Sequence, residues 1–498
     1  MTMMTESTVE VSPQELQRLL DAQRAAQALD PIPDAATRRD RIDRFVAAVL
    51  EHGPELAAAL DADFGSRPTT TSMELDILGG LQSISYTREH LQEWMAPTQV
   101  EGGMGGAIPT FVQNRPKGVV GVVSPWNFPV VLAFAPTVEA LAAGNRVMIK
   151  FSDITPRTGE VFARAVASRM SPEEVVVING GLQTATAFTD LRFDHIFFTG
   201  SPKVGRLVAV AAGKNLVPVT LELGGKNPAI VAPDADIVDA ATRIAAARLV
   251  NNGQVCLCPD YAFVPESRKD AFVEAYQKAV FGHFPTFIDN PDVVSIVNDA
   301  NYARVTGLVE DAKAKGAVEI VIVPEAEKDR VPDAGSRRVP PTLLLDTSND
   351  AVINSEEIFG PVLVLHTYAD VDEAIAYAAA GEHPLSSYWY GADTDDFQRF
   401  VLETTSGAVS RNDFALAYVN DAVPFGGVGM SGSGAYHGKA GFDIFTHQRP
   451  IAQSDLPAAL ASAFVAPLTP ERVEGAVTMG AALAADAVAR LQGAEGQG

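Results

Sequence analysis

Short apolar segments alternate with helical segments along much of the chain, and this alternation constrains the fold more than any other feature of the sequence. Apolar runs of four to eight residues, rich in β-branched side chains, predict strands, and longer amphipathic segments predict helices. In the first half, strands are predicted at 119–123, 146–149, 174–178 and 195–198, with helices at 137–143 and 156–170. This order favours a parallel sheet covered on both faces, as in doubly wound proteins.

A second series of the same kind follows residue 256. Its predicted strands are 261–264, 319–323, 362–366, 387–390 and 407–410, and its predicted helices are 269–280, 301–315, 371–380 and 395–403. Three amphipathic helical stretches precede the first series, the last of them at 73–94, and they predict packing elements without chemistry of their own. The sequence therefore predicts an α/β protein with two doubly wound parallel-sheet domains.

The charge of the chain argues against two classes of partner. Lysine and arginine number 38 and aspartate and glutamate 62, so the formal net charge is −24. An acidic surface repels nucleic acid and anionic lipid, and neither is expected as a partner. The segment 118–139 is long and apolar, but its three prolines disfavour a helix that spans a membrane.

The cysteine content predicts a reducing compartment. The chain has only two cysteines, Cys256 and Cys258, which do not provide a disulfide framework. No cluster of cysteine and histidine has zinc spacing, so no metal is expected. Residues 1–10 are polar and lack the apolar core of a signal peptide, which favours the cytoplasm.

The loop at 251–259 contains both cysteines and precedes a predicted strand. A thiol is the most nucleophilic side chain near neutral pH, provided that it can ionise. Cys256 follows a Gly-Gln-Val sequence and is the candidate nucleophile, although a cysteine alone is more often a buried small residue. Cys258 lies two residues later and is expected to be such a core residue.

Two other polar residues lie among apolar neighbours at the ends of predicted strands. Glu222 stands in an apolar strand before a Gly-Gly pair, where burial is costly. It could form a salt bridge with Lys226, or it could act as a general base with a raised pKa. Asn127 lies between aromatic residues and prolines, and it is either a turn residue or a hydrogen-bond donor aimed into a cleft.

The glycines at 200 and 205 follow a predicted strand and begin a helix. Glycine at this place lets the backbone approach a pyrophosphate at a helix N-terminus. The spacing is not the GxGxxG pattern, so the signal is weak by itself. Lys150 ends a neighbouring predicted strand, where a cation could reach a ribose or a phosphate.

Together these motifs resemble the aldehyde dehydrogenases. The resemblance covers residues 12 to 452 and depends on the motifs at 125–129, 198–201, 221–226, 253–256, 356–361 and 424–429. The motifs at 193–195, 258–261 and 433–439 are similar to those of the class 3 and coniferyl-aldehyde-dehydrogenase-like branch. Six motifs in the family's order make the resemblance specific.

The resemblance implies a covalent mechanism. Cys256 matches the cysteine that attacks the aldehyde, and Asn127 matches the donor that holds the oxyanion together with the cysteine's own backbone N–H. Hydride transfer to the nicotinamide then leaves a thioester, and Glu222 matches the base that activates water to release the acid. The implied partner is therefore an aldehyde that is a small molecule.

The resemblance also implies a nicotinamide cofactor, with NAD preferred and NADP tolerated. The residues implied to bind it are Lys150, Ser152, Asp153, Gly200, Ser201, Val204, Gly205, Glu357, Phe359 and Trp126. Glu356 is implied to be only a neighbour. Asp153 replaces the usual glutamate and is one methylene shorter, so its hold on the ribose diol is expected to loosen.

The family's substrate tunnel implies a third set of residues. They are Phe128, Val131, Leu132, Ala246, Val250 and Val255. Ala246 stands where some class 3 relatives carry a bulky aromatic residue, so the pocket is expected to accept an aromatic or long-chain aldehyde. Val255 replaces a common threonine and Cys258 a frequent alanine, and Cys258 could cap Cys256 under oxidation.

The resemblance implies a division into domains and a homodimer. The segments 1–96 and 115–224 form the NAD-binding domain and 225–419 the catalytic domain. The segments 97–114 and 420–452 form a small β oligomerisation arm, and 453–498 form a C-terminal tail without an assigned role. Three rival functions stay open: a CoA-acylating dehydrogenase, a reductase of acyl phosphates and a binding protein without turnover.

Overall fold

The computed structural model describes residues 10–103, 106, 108–454, 456, 461, 465 and 469–495. The helices are α1 Pro13–Leu29, α2 Ala35–Glu51, α3 Gly53–Phe64, α4 Thr69–Ser72, α5 Leu81–Met95, α6 Val131–Ala142, α7 Pro156–Ala167, α8 Leu182–Thr189, α9 Pro202–Lys214, α10 Ile237–Leu249, α11 Lys269–His283, α12 Asp299–Ala314, α13 Val371–Ala380, α14 Asp395–Glu403, α15 Gly438–Ile444 and α16 Pro470–Glu495. The strands are β1 Thr98–Gly103, β2 Ile108–Pro116, β3 Val119–Val123, β4 Arg146–Lys150, β5 Val175–Ile178, β6 His195–Gly200, β7 Val219–Leu223, β8 Asn227–Val231, β9 Pro259–Pro265, β10 Val318–Val321, β11 Thr342–Leu345, β12 Val362–Tyr368, β13 Ser386–Tyr390, β14 Ala408–Arg411, β15 Gly432–Ser433 and β16 Thr446–Ala452.

The first sheet has the strand order β15-β7-β6-β3-β4-β5. Its strands are parallel except for β15, which pairs antiparallel with β7 and places Gly432 opposite Glu222. The carboxyl ends of β3, β4, β6 and β7 lie along one edge, because Val123 is in register with both Lys150 and Phe198. This edge is where ligands bind in doubly wound sheets.

The second sheet has the order β10-β11-β12-β9-β8-β13-β14 and is parallel except for β10. Strands β9, β11 and β13 are wholly buried, as expected for a parallel sheet covered on both faces. The loop with the two cysteines leads directly into β9, between β8 and β12. The predicted α/β fold with two parallel sheets is confirmed.

A third, small sheet has the order β1-β2-β16, with β1 and β2 antiparallel. By its internal contacts the chain divides into one compact unit within Met1–Ala96 and Asn114–Gln448 and a second within Pro97–Gln113 and Arg449–Gly498. Helix α16, in the second unit, exposes apolar side chains such as Val477 and Leu483. Among the described residues, no helix is both long and apolar enough to cross a membrane.

Two predicted helices differ from those in the structure. The predicted helix 73–94 is interrupted, because a π-helical turn at Met73–Ile77 separates α4 from α5. The predicted helix 137–143 begins six residues earlier, and α6 runs through Pro136. A proline usually ends a helix, but here Asp76 accepts the backbone N–H groups of Val130 and Val131 and fixes the start of α6 upstream of the proline.

Candidate active site

The loop before Cys256 has an unusual backbone. Asn251, Asn252 and Gly253 all have positive φ, at 48°, 53° and 76°. The turn is closed by the Asn251 amide, which donates to the carbonyl of Gln254 at 3.2 Å, and by the Gln254 amide, which donates to the carbonyl of Asn251 at 2.9 Å. A left-handed backbone is costly for residues other than glycine, so these side-chain bonds stabilise a conformation that the chain would otherwise avoid.

Cys256 is half-buried between this turn and β9. The Asn227 side chain donates to its backbone carbonyl at 2.7 Å and thereby fixes the loop to the end of β8. Burial, Glu357 and Glu222 raise the pKa of the Cys256 thiol, in that order. The two carboxyl groups therefore lie close enough to the sulfur to influence its ionisation.

Cys258 is buried, with only 2% of its surface exposed. Its thiol donates to the carbonyl of Ala247 on α10 at 3.2 Å. Burial raises the pKa of both thiols, so the lower exposure of Cys258 and its hydrogen bond, and not its pKa, distinguish it from Cys256. Both thiols are free.

Asn127 lies in the turn between β3 and α6 and is 4% exposed. Its side-chain amide donates to the carbonyl of Gln254 at 3.1 Å, so it lies beside the loop of Cys256. Asn127 is thus a turn residue, and the donation into a cleft that the sequence also allows stays a prediction. An amide nitrogen has two hydrogens, and the second can serve another acceptor.

Glu222 is the penultimate residue of β7 and is 4% exposed. Neither carboxyl oxygen has a hydrogen-bond partner among the described residues. Burial raises its pKa well above the usual range, and the nearby carboxyl group of Glu139 raises it further. The alternative salt bridge does not form, because Lys226 pairs with Asp260 and donates to the carbonyl of Ile353 at 2.7 Å.

Glu357 lies next to the Gly-Gly turn after β7. Its carboxyl group lies against the backbone of this turn, because a Cβ on Gly224 would overlap its oxygens. Burial and Asp260 raise its pKa to about 8. The guanidinium of Arg304 donates to the carbonyl of Glu357 at 3.0 Å and positions this loop.

Phe359, two residues later, has a φ of 49°. Its ring meets the ring of Trp126 edge to face, with centroids 5.3 Å apart. Trp126 directly precedes Asn127, so this contact joins the loop of Glu357 to the loop of Asn127. The structure thus places two residues of the predicted cofactor set beside the predicted oxyanion donor.

The polar residues at the end of β4 become more exposed along the chain, from Lys150 to Asp153. Lys150 is buried, and its ammonium group donates to the carbonyl of Phe151 at 2.7 Å. Ser152 is half-buried and Asp153 is exposed. The polar groups therefore extend from the edge of the sheet toward solvent, as a bound ribose requires.

The turn between β6 and α9 leads into a helix N-terminus. Ser201 caps α9 by accepting the N–H of Val204 at 3.4 Å, and Gly200 ends β6. A Cβ on Gly205 would overlap Leu223, so this glycine allows the helix to pack closely on β7. A helix N-terminus at the carboxyl edge of a parallel sheet fits a pyrophosphate, and these residues fit a dinucleotide.

The predicted substrate residues are largely brought together. Phe128, Val131, Leu132 and Val255 are buried in one apolar cluster, and Val250 packs against it. Cys256 also contacts this cluster. Ala246 is half-buried on α10 and is not a member of the cluster. Cys256 therefore borders an apolar wall formed by α6 and its own loop.

Sequence reasoning missed three buried charged residues near the site. Arg67 and Asp76 belong to the N-terminal helical region, which was interpreted as packing without chemistry, and Glu139 lies within α6. Asp76 and Glu139 are charged residues among mainly apolar neighbours, which is the available signal, whereas the polar segment around Arg67 gives none. Their contacts depend on distant parts of the chain, so the local pattern does not indicate them.

Known proteins resemble this chain over most of its length. A family model described as the aldehyde dehydrogenase family matches residues 7–451. A coniferyl aldehyde dehydrogenase from Pseudomonas sp. is 41% identical over 441 residues, which are 89% of this chain and 91% of that protein.

Solved structures resemble the fold. The substrate-bound state of Staphylococcus aureus AldH is 32% identical with a TM-score of 0.85, covering 93% of this chain and 99% of that one. An indole-3-acetaldehyde dehydrogenase complexed with NAD+ is 26% identical with a TM-score of 0.80, covering 90% of both chains.

Proposed function

The chain belongs to the aldehyde dehydrogenase family, and we propose that it oxidises a free aldehyde to its carboxylic acid through a covalent thioester on Cys256. It is an NAD(P)-dependent aldehyde dehydrogenase; the covalent route and the residue roles are the proposal. One observation supports them most. Asn127 and Cys256, in two loops, lie beside each other, and Glu222, at the end of β7, has an unpartnered buried carboxyl group near the thiol.

The first step is capture of the aldehyde by Cys256. The thiol gives its proton to the carboxylate of Glu222, and the sulfur forms a bond to the aldehyde carbon. The Asn127 side chain and the Cys256 backbone N–H donate to the resulting alkoxide. Each donor in a water-excluded site stabilises the transition state by about 3 kcal/mol.

The nicotinamide ring, when bound, accepts the hydride that leaves the captured carbon. The chain's own part is to orient the thiohemiacetal, because a tetrahedral alkoxide is a far better hydride donor than a free aldehyde. Lys150, Ser152, Asp153, Gly200, Ser201, Val204, Gly205, Glu357, Phe359 and Trp126 are the residues proposed to hold the cofactor. Loss of the hydride leaves a thioester on Cys256.

Release of the product requires Glu222 again. After its first proton has left, the carboxylate takes a proton from water, and the hydroxide attacks the thioester carbon. The carbon–sulfur bond breaks, the acid departs, and Cys256 is regenerated. The raised pKa of Glu222 suits this role, because a stronger base removes the water proton more readily.

One assay distinguishes this proposal from the rival functions. NADH formation from an aldehyde without CoA is expected in the wild type, and Cys256→Ala should abolish it. Glu222→Gln keeps the shape of the side chain but removes the base used in both steps, so a slowed burst of NADH without further turnover is expected. A requirement for CoA, or no NADH with any aldehyde, would contradict the proposal.

The proposed substrate is an aromatic or long-chain aldehyde. The apolar cluster beside Cys256 and the small Ala246 leave the wall without bulky polar groups. The Pseudomonas relative is named for coniferyl aldehyde, which is aromatic. A panel of aromatic and short aliphatic aldehydes compared by kcat/KM tests this, and a preference for short aldehydes would contradict it.

NAD is the proposed cofactor, with NADP tolerated. Asp153 is exposed and carries a negative charge beside the proposed ribose site, where it would repel a 2′-phosphate. Its short side chain makes this repulsion weaker than that of a glutamate. Comparing kcat/KM for the two cofactors in the wild type and in Asp153→Asn is the test. Unchanged selectivity in the variant would exclude this role for Asp153.

We also propose a cytoplasmic homodimer with an NAD-binding domain at 1–96 and 115–224 and a catalytic domain at 225–419. The segments 97–114 and 420–452 would form the oligomerisation arm. The strands β1, β2 and β16 form a separate small sheet, which is the feature that supports such an arm. The mass of the protein in solution, measured by light scattering, tests the dimer.

A further inference from the structure

The buried ion pair of Arg67 and Asp76 lies behind the active site. Both side chains have no solvent exposure. The guanidinium Nη2 and the carboxylate Oδ2 are 3.3 Å apart. A buried ion pair usually contributes little net stability, because desolvation costs about as much as the attraction returns. Stability alone therefore does not explain why this pair is buried here.

Arg67 contacts the backbone of Asn127 directly. Its Nη1 donates to the Asn127 carbonyl at 3.0 Å, and the Asn251 side chain donates to the same oxygen at 3.2 Å. The guanidinium also lies over the rings of Phe64 and Phe128, at 4.9 Å and 5.0 Å from their centroids. Stacking between two rings leaves the planar group little freedom, so the position of its donor is well defined.

Asp76 holds the other side of the same turn. Its Oδ1 accepts the N–H groups of Val130 and Val131, at 3.0 Å and 2.9 Å, where α6 begins. Arg67 thus binds one end of the turn, at Asn127, and Asp76 binds the other end, at Val130 and Val131. The backbone between these points carries the side chain that donates to Gln254, in the loop of Cys256.

We propose that Arg67 and Asp76 are positioning residues that orient the Asn127 side chain toward the oxyanion. The inference rests on the proposed function, because it needs Asn127 to be the oxyanion donor. Misplacing a catalytic group by about 1 Å costs on the order of 100-fold in rate. A guanidinium that fixes the Asn127 carbonyl controls displacements of this size.

A double-mutant cycle tests the proposal. Arg67→Met is expected to lower kcat and the rate of the first NADH burst by about 10-fold to 100-fold, with KM changed much less. Asn127→Ala should be more severe. The double variant should be no slower than Asn127→Ala alone, because Arg67 acts only through Asn127. Independent, multiplying effects, or an unchanged burst rate in Arg67→Met, would overturn the proposal.

Arg38→Met is the matched control. Arg38 is equally buried, and its guanidinium donates to the carbonyls of Pro33 and Ala142, both at 2.8 Å, at the opposite end of α6. Removing it deletes a buried arginine that contacts the far end of α6, without touching the Asn127 turn. Its burst rate is expected to match the wild type, and a loss as large as that of Arg67→Met would also overturn the proposal.

Asp76→Asn provides a second variant, because it retains an oxygen that can accept the α6 N–H groups. It should lower the burst rate in the same direction as Arg67→Met. If both variants fail to fold while Arg38→Met folds, the pair serves folding alone and the proposal is wrong. If Asn127→Ala leaves NADH formation unchanged, the proposed function itself fails at that residue, and this outcome differs from multiplying effects.

Discussion

The electrostatic surroundings of Cys256 give a prediction at the scale of single residues. Glu357 is the charged neighbour that raises the thiol pKa most, and its own pKa is about 8. Above that pH the carboxylate is ionised and suppresses the thiolate, whereas below it the group is largely neutral. Glu357→Gln should therefore react faster with iodoacetamide than the wild type above this pKa, with a smaller difference below it.

Labelling at Cys256 is measured by peptide mass spectrometry in the absence of cofactor. Cys258 is the internal control, because burial should keep it unlabelled in both proteins. Equal rates for the two proteins above the pKa of Glu357 would show that Glu357 does not control the thiol. Labelling of Cys258 in the folded protein would contradict its placement.

Glu139 gives a second prediction for a single residue. Its buried carboxyl group raises the pKa of Glu222, and one of its oxygens accepts the N–H of His437 at 3.0 Å. In Glu139→Gln the acceptor oxygen remains but the negative charge is lost, so the pKa of Glu222 should fall. Glu222 then stays ionised to lower pH. The acidic limb of the plot of kcat against pH should therefore shift to lower pH. A limb that stays in place would contradict this coupling.

Ala246 tests the substrate proposal. Ala246 is half-buried on α10, and a tryptophan there would narrow the proposed tunnel. Ala246→Trp should lower kcat/KM for an aromatic aldehyde by about 10-fold or more and leave a short aliphatic aldehyde nearly unaffected. Steady-state kinetics with both aldehydes measure the difference. If the variant changes neither value, or both equally, Ala246 does not line the tunnel.

At the scale of elements, the turn that precedes Cys256 packs against a second loop. A Cβ on Gly253 would overlap the carbonyl of Gly360, and its φ of 76° disfavours any other residue. Gly253→Ala should therefore lower stability by more than about 1 kcal/mol and displace Cys256, with a loss of kcat of about 100-fold. Chemical denaturation and steady-state kinetics measure the two effects.

Gly307→Ala is the matched control for this element. Gly307 lies within α12, is exposed, and has open space where a Cβ would stand. Alanine should stabilise that helix by about 0.5–1 kcal/mol and leave kcat unchanged. If Gly253→Ala lowered neither stability nor kcat, the close approach of the two loops would not be needed for either.

The sequence predicts most of the strands, because a buried parallel strand has a clear apolar pattern. β3, β6, β9 and β13 fall within a few residues of the predictions. The interruption in the predicted helix 73–94 was missed, because the π-helical turn there serves to bring Asp76 under α6. The strands β8 and β11 were not predicted either. Element boundaries that depend on tertiary contacts therefore escape a local pattern.

At the scale of the whole molecule, the site residues could be named but their arrangement could not. Motifs and their family resemblance indicated Cys256, Glu222 and Asn127, and the structure places them near one another. The sequence left open a salt bridge of Glu222 with Lys226, because the spacing allows it. Only the full fold provides Asp260 as the competing partner. Pairing of buried charges is decided by segments far apart in the chain.

The C-terminal tail gives the prediction that belongs to this scale. The residues proposed for catalysis and for cofactor or substrate binding all lie between 126 and 359, and α16 exposes apolar side chains such as Leu483. A chain that ends at residue 454 should keep kcat/KM within about twofold of the full-length value. A second truncation before β16 is the comparison, and it should disturb the small sheet. A large loss on removing the tail alone would give the tail a role in catalysis.

The left-handed turn before Cys256 also affects how fast the protein deamidates. Asn252 precedes Gly253, and an asparagine before glycine readily deamidates, since the glycine nitrogen can attack the side-chain carbonyl to form a succinimide. In the folded protein Asn252 is 2% exposed and its backbone is fixed, which hinders that ring closure. Each excursion to the unfolded state frees it, and the isoaspartate that results lengthens the backbone beside Cys256. We therefore expect the working lifetime of the enzyme to depend on how often the chain unfolds. Each formation of isoaspartate at Asn252 is irreversible.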